Sequence, residues 1–390
     1  MRKEIPLSTP NLNMNIVENL KECIETGWVS TGGRYISEFE KKTADYLKVE
    51  SAVSTQCGTA GLHLALKEAG VNAGDEVIVP TLTFIAAVNP VIYCGAHPIF
   101  MDCDDSLCMD MEKLDRFLHE ECERDSEENL INKESGRAIK AIVPVHIFGN
   151  MADMEHLMDL AAKFGLKVVE DATEALGSYV TEGRYKGKHL GTIGDIGVYS
   201  FNANKIITTG GGGMIVSGNK DYLEHIRYMS LTAKNDSLFF VHDEVGYNYR
   251  MLNIQAALGV SQIDELEDFI QVKTKNYNLY RELLADVEGI TLLPFKDGVR
   301  TNYWFYSLLV DKSKFGMDRD ELMNQMIDNG IQCRPIWKLI HTQKCYLQYQ
   351  FYKTEKAEFY EKNILNVPCS TNLSEDDVKF VCESIRNFGS

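Results

Sequence analysis

Between residues 50 and 216 short β-rich apolar runs alternate with stretches in which apolar side chains return every three or four positions. The runs SAVST, EVIVP, HPIFMD, AIKAIVPVH, LKVVED, IGVYSF and GMIVS predict strands, and their alternation with helical patterns predicts βα units around a mainly parallel sheet. Met154, Leu157, Met158, Ala161 and Phe164 recur at helical spacing, with Gly165 placed to cap that helix. After Arg250 the rhythm changes to one long helical segment, LNIQAALGVSQIDELEDFIQVKTKNYNLYRELLADV, and then to the strands and helices of a smaller unit. The expected architecture is α/β: a large domain over 1–250 with a mainly parallel central sheet flanked by helices, and a smaller C-terminal α/β domain over 251–390. No internal repeat interrupts it.

The segment from His119 to Arg137 is crowded with charge and poor in large apolar groups, which predicts a solvated insertion or a helix extension. A chain of 390 residues, 44% hydrophobic and 25% charged, has the composition of a packed globular enzyme rather than of a disordered tail. The formal charge of -17 argues against nucleic acid or an anionic membrane as the main partner, since both demand a broad basic field. No apolar run is long enough to span a bilayer and no secretory signal core is present, so the expected location is the cytoplasm. Ten dilute cysteines without a Cys-x-x-Cys pair read as reduced thiols, and the nine histidines show no ligand spacing, so no metal is expected.

Candidate chemistry gathers in two segments. Asp171 ends a predicted buried parallel strand, where α/β proteins build their sites, although an Asp there equally serves as a helix cap. Lys205 ends Ser-Phe-Asn-Ala-Asn-Lys and precedes the glycine run 210–213, a setting for an amine that must reach a carbonyl carbon inside a pocket. That glycine run has neither dinucleotide-binding nor P-loop spacing. Gly58-Thr59-Ala60 follows a strand and opens a predicted helix over Ala60 to Ala69, so backbone N–H groups and the helix dipole can meet an anion there.

Taken together, GWVSTGG (27–33), CGTAGLHLAL (57–66), GDEVIVPTLTF (74–84), VPVHIFGN (143–150), EDATEALGS (170–178), GDIGVYSFNANK (194–205) and GYNYRM (246–251) resemble the DegT/StrS family of nucleotide-sugar aminotransferases. These depend on pyridoxal 5'-phosphate (PLP) and have the type I, aspartate-aminotransferase fold. The resemblance implies that Lys205 holds the cofactor and that Asp171 pairs with its pyridine nitrogen. It puts the ring of Phe84 against the cofactor, and Gly58, Thr59, Ala60, Ser200 and Asn202 around it. Asn248 matches a residue that reaches the phosphate from a neighbouring subunit, which implies a homodimer with composite sites. Glu174 stands near the cofactor's O3', where many members carry Gln or His, and a carboxylate would repel a phenolate there unless one of them is protonated.

GWVSTGG, DATEALGS, SFNANKIITTGGGGM and CRPIWKLIH further resemble the LegC-like branch of legionaminic-acid and related surface-sugar pathways. The implied substrate is a UDP- or GDP-linked 4-keto-6-deoxyhexose carrying a 2-acetamido group, aminated at C4 with L-glutamate as donor while the cofactor cycles through pyridoxamine phosphate. Ser30, Thr31, Arg250, Arg334 and His341, with Lys338, are the expected substrate contacts, and surface ion pairing is the competing account of the charged ones. A perosamine-type 4-aminotransferase, a 3-aminotransferase and a PLP-bound sensor without catalysis are the alternatives. A sugar 3-dehydratase, which replaces the lysine by histidine, is opposed by Lys205.

Overall fold

The computed structural model describes residues 4–236 and 238–389. Its centre is an eight-stranded sheet in the order 52–55, 213–217, 196–200, 167–171, 139–142, 76–80, 97–101 and 351–352. Only Gly213–Ser217 runs against its neighbours; every other strand points the same way. All seven expected strands are present, and the alternation with helices reflects the crossover connections that parallel pairing requires. The helix Met154–Phe164 ends at Gly165 in the left-handed region, with the Gly165 N–H on the Ala161 carbonyl.

Past residue 250 the chain builds a second sheet, all antiparallel, in the order 290–292, 306–310, 364–367 and 334–335. Phe351–Tyr352 leaves that unit and adds to the edge of the large sheet beside Phe100 and Met101. The start of the chain joins the second unit instead: Ile5 pairs with Ile331, the Leu7 carbonyl accepts the Cys369 N–H at 2.9 Å, and the Thr9 N–H reaches Ser370 Oγ at 2.9 Å.

Two expectations change. The single long helix after Arg250 is two, Asn253–Gln262 and Leu266–Leu283, joined by a 3₁₀ turn over Ile263–Glu265. The buried Gln262 side chain turns there to the Asn11 carbonyl and the Thr208 N–H, at 3.0 and 3.3 Å. The charged segment 119–137 is mostly exposed, as a solvated insertion would be, but it is not a helix extension: the helix stops at Glu120 and an antiparallel hairpin pairs Cys122–Arg124 with Leu130–Asn132. Its buried Asn132 donates to Glu76 Oε2 at 2.8 Å and its Asn129 Oδ1 accepts from Lys140 Nζ at 3.0 Å, so polar contacts tie the hairpin to the large sheet.

Gly197, inside the 196–200 strand, has the Gly191 carbonyl oxygen 1.8 Å from where a Cβ would stand. That oxygen is backbone and cannot step aside. Gly197→Ala is therefore expected to cost about 3 kcal/mol or more, read as a steep loss of soluble protein and of Tm; an unchanged melting curve would refute the close packing described.

Candidate active site

Strands that all point one way deliver their carboxyl ends, and the loops after them, to one edge of the sheet. The loops following 52–55, 76–80, 167–171 and 196–200 converge there on a cavity of about 310 Å³. They bring Gly58, Thr59, Phe84, Asp171, Glu174, Ser200, Asn202 and Lys205 to its walls. Gly58 opens the helix Gly58–Glu68, and a Cβ on it would lie 3.0 Å from Ser200 Cβ and 3.2 Å from Thr173 Cγ2, so the backbone packs closely there. Cys57 caps this helix through the Ala60 N–H at 3.4 Å, while the Gly58 and Thr59 amides have no intrahelical acceptor and remain for an anion.

Burial sets the electrostatics. Desolvation pushes the Asp171 carboxyl above the usual carboxylate range, against the pull of the Thr173 amide, which donates to Oδ1 at 3.0 Å, and of Lys205. Desolvation likewise lifts Glu174 to about 7, opposed by Lys205 and by the Phe148 N–H on Oε2 at 2.8 Å. The Lys205 ammonium is pulled below its ordinary value by the same burial, with Glu174 and then Asp171 acting the other way. Behind Asp171, the buried His146 bonds Glu170 through Nε2 at 2.8 Å. Phe84 is 52% exposed, so it lines the cavity instead of serving the core.

Several expected contacts lie elsewhere. Ala60 is buried one residue behind the wall. Arg250 is buried in an ion pair with Glu40 at 2.7 Å, and Lys338 pairs with Glu361 at 2.7 Å. His341 meets Thr81 Oγ1 at 2.6 Å and stacks on Phe351. Arg334 is exposed on the second sheet, and Ser30, Thr31 and Asn248 lie outside the cavity of their own chain. In their place the second unit contributes Trp304, Phe305 and Trp337, with Trp337 6.1 Å from Phe84 between ring centres. Trp304 is held by the buried Asn302, whose Oδ1 accepts the Trp304 N–H at 3.0 Å while Nδ2 donates to the carbonyls of Glu174 and Leu176. The tight cluster of aromatics at 303–306 was the available sequence signal for this wall.

The donor set fits PLP: a desolvated amine, a buried carboxyl with one oxygen uncommitted among the described residues, an open helix start for a phosphate, and an exposed ring as a stacking face. No group of three or more His, Cys, Asp or Glu side chains among the described residues is placed to hold a metal ion, and no described helix is long and apolar enough to cross a membrane.

Comparison with known proteins agrees with this reading. The model of the DegT/DnrJ/EryC1/StrS aminotransferase family matches residues 10–386. A GDP-perosamine synthase of Escherichia coli O157:H7 is 38% identical, covering 100% of this chain and 99% of that protein. EpsN of Bacillus subtilis, a putative pyridoxal phosphate-dependent aminotransferase, is 32% identical over 98% of this chain and 95% of its own. Among solved structures, the aminotransferase TlmJ of Streptoalloteichus hindustanus superposes with a TM-score of 0.88 at 27% identity, covering 99% of both chains. The α/β architecture is thus the expected fold of PLP-dependent sugar aminotransferases, and the sensor reading falls away. The chain belongs to the DegT/DnrJ/EryC1/StrS family of PLP-dependent nucleotide-sugar aminotransferases.

Proposed function

We propose that this enzyme moves the amino group of L-glutamate to C4 of a GDP-linked 4-keto-6-deoxyhexose, a perosamine-type reaction, with PLP held on Lys205. The observation that carries the reaction type is the meeting of a desolvated amine and the buried Asp171 in one cavity at the carboxyl edge of the sheet. The choice of sugar rests on the full-length likeness to the Escherichia coli GDP-perosamine synthase. The 2-acetamido sugar of a legionaminic-acid-like route is the second reading, favoured by the motifs GWVSTGG and DATEALGS.

When bound, PLP supplies the electron sink for the pair left on carbon as the substrate loses its proton. Asp171 would hold a proton on the ring nitrogen; that new cation beside it would draw its raised carboxyl back to the charged form. Lys205, when not bonded to the cofactor, would be the base for the substrate carbon, and the burial that lowers its ammonium favours the free amine. The Gly58 and Thr59 amides would take the phosphate, and Phe84 would limit the tilt of the ring.

A homodimer with shared sites is part of the proposal. Leu238, Phe239, Phe240 and Val245 project from the 234–242 hairpin region at 65–87% exposure, and Met14, Ile24 and Trp28 are exposed at and beside the helix Asn15–Thr26. Solvated monomers rarely leave such groups bare. Asn248, exposed beside that hairpin and outside its own cavity, is the residue we assign to a second copy's site.

With PLP, the protein is expected to show a band near the visible edge that glutamate bleaches and that a GDP-linked 4-keto-6-deoxyhexose restores; restoration only by a UDP-2-acetamido analogue would move the assignment to the second reading. Lys205→Ala should abolish the band and lower turnover by about 10⁴-fold or more. Asp171→Asn should keep the fold and lower kcat by roughly 10³-fold; near-normal kinetics in either variant removes that residue from its role. Mixing Lys205→Ala with Asn248→Ala protein, each poorly active alone, should regain activity as subunits exchange, because one site of each hybrid is intact. No regain despite proven exchange would place Asn248 outside the neighbour's site.

A further inference from the structure

Lys205 has two close neighbours to which the transamination reading gives no task toward its amine. Nζ lies 3.7 Å from Glu174 Oε1 and 3.9 Å from the centre of the Trp304 ring. Both partners are fixed from behind. Glu174 is anchored by the Phe148 N–H on Oε2 and by Asn302 on its carbonyl, each at 2.8 Å. Trp304, 2% exposed, donates Nε1–H to the carbonyl of Asn204, the residue before the lysine, at 2.8 Å. Its own carbonyl accepts from the buried Lys273 Nζ at 3.0 Å. The indole plane is therefore set from both units of the fold, and Lys205 rests on it.

Carboxylate and indole favour the same protonation state. A negative oxygen and the negative face of a π system each stabilise an ammonium over an amine, against burial, which does the reverse. The remaining charged group acting on Lys205 is Asp171, which pulls with Glu174, and His146 acts on Asp171 from behind. At 3.7 Å the Glu174 contact is an ion pair too long to be a hydrogen bond, so it steadies the amine without locking it.

Resting on the reading that Lys205 carries the cofactor, we infer that Glu174 and Trp304 form a cradle that receives Lys205 Nζ whenever the cofactor is released from it, and that stabilises the ammonium formed once the amine has taken the substrate's proton. A buried lysine alone would surrender its proton to solvent routes; one seated between a carboxylate and an indole face keeps it for return to the substrate. The carboxylate at position 174, where many family members have an amide or imidazole, gives the cradle its charge.

The test uses the full-length protein in its pyridoxamine-phosphate form, in which the lysine is not bonded to the cofactor. Pulse acetylation with acetic anhydride across pH, read on the Lys205 peptide by mass spectrometry, gives the midpoint at which the amine loses its proton. Glu174→Gln retains an acceptor for the Phe148 N–H and removes only the charge, so its midpoint is expected to fall by about one pH unit or more. Trp304→Leu should lower it by roughly half a unit, and Trp304→Phe, which keeps a π face, should recover most of that. A midpoint that stays or rises in Glu174→Gln overturns the cradle while leaving Lys205 as the cofactor's lysine. Borohydride reduction of the wild-type PLP form should place the cofactor on the Lys205 peptide; reduction onto another residue would overturn both readings.

Discussion

The structure turns on the cost of hiding an ammonium. Lys205 sits where water is largely excluded, and an unpaired charge there would be prohibitive. Two carboxyls and an indole offset that cost, and each needs its own support: an amide for Glu174, another for Asp171, and the Asn302 side chain for Trp304. Such support comes from loops far apart in sequence. A mainly parallel sheet gathers them without strain, because the carboxyl ends of its strands share one edge.

What could be read beforehand follows the same division. The strands between residues 51 and 217 are apolar runs bounded by turn residues, a local signal, and all seven form. Lys205, Asp171, Glu174, Phe84 and the Gly58-Thr59 helix start reach one cavity because each stands immediately after such a strand. Trp304 carries only the weak signal of the aromatic cluster at 303–306 and Trp337 none, and the fold of the second unit brings both to the cavity, with Trp304 under the lysine. Arg250 illustrates the converse. Its charge reads as a candidate for an anionic ligand, but Glu40, 210 positions earlier, neutralises it in the interior. The long helix after Arg250 misled for a related reason, since its periodicity continues across Ile263–Glu265 while the backbone there tightens into a 3₁₀ turn.

The site also divides its labour between the two units. The large sheet supplies every group with acid–base capacity together with the Phe84 ring, and the second unit supplies the remaining aromatic faces, Trp304, Phe305 and Trp337. Reactive groups on the strand ends of the large sheet hold their mutual geometry.

The pairing of residues 5–9 with residues 330–370 imposes an order on synthesis. As the chain leaves the ribosome, residues 5–9 have no docking place until residues 330–370 have been made, and the edge strand Phe351–Tyr352 is absent from the large sheet until then. The central strands can assemble earlier, but the Phe100 edge stays open and the opening segment stays loose through most of translation. Closure of the molecule is thus a late event, concentrated in the last sixth of the chain, and a nascent protein stalled before residue 350 would present an unpaired strand edge to whatever else is nearby.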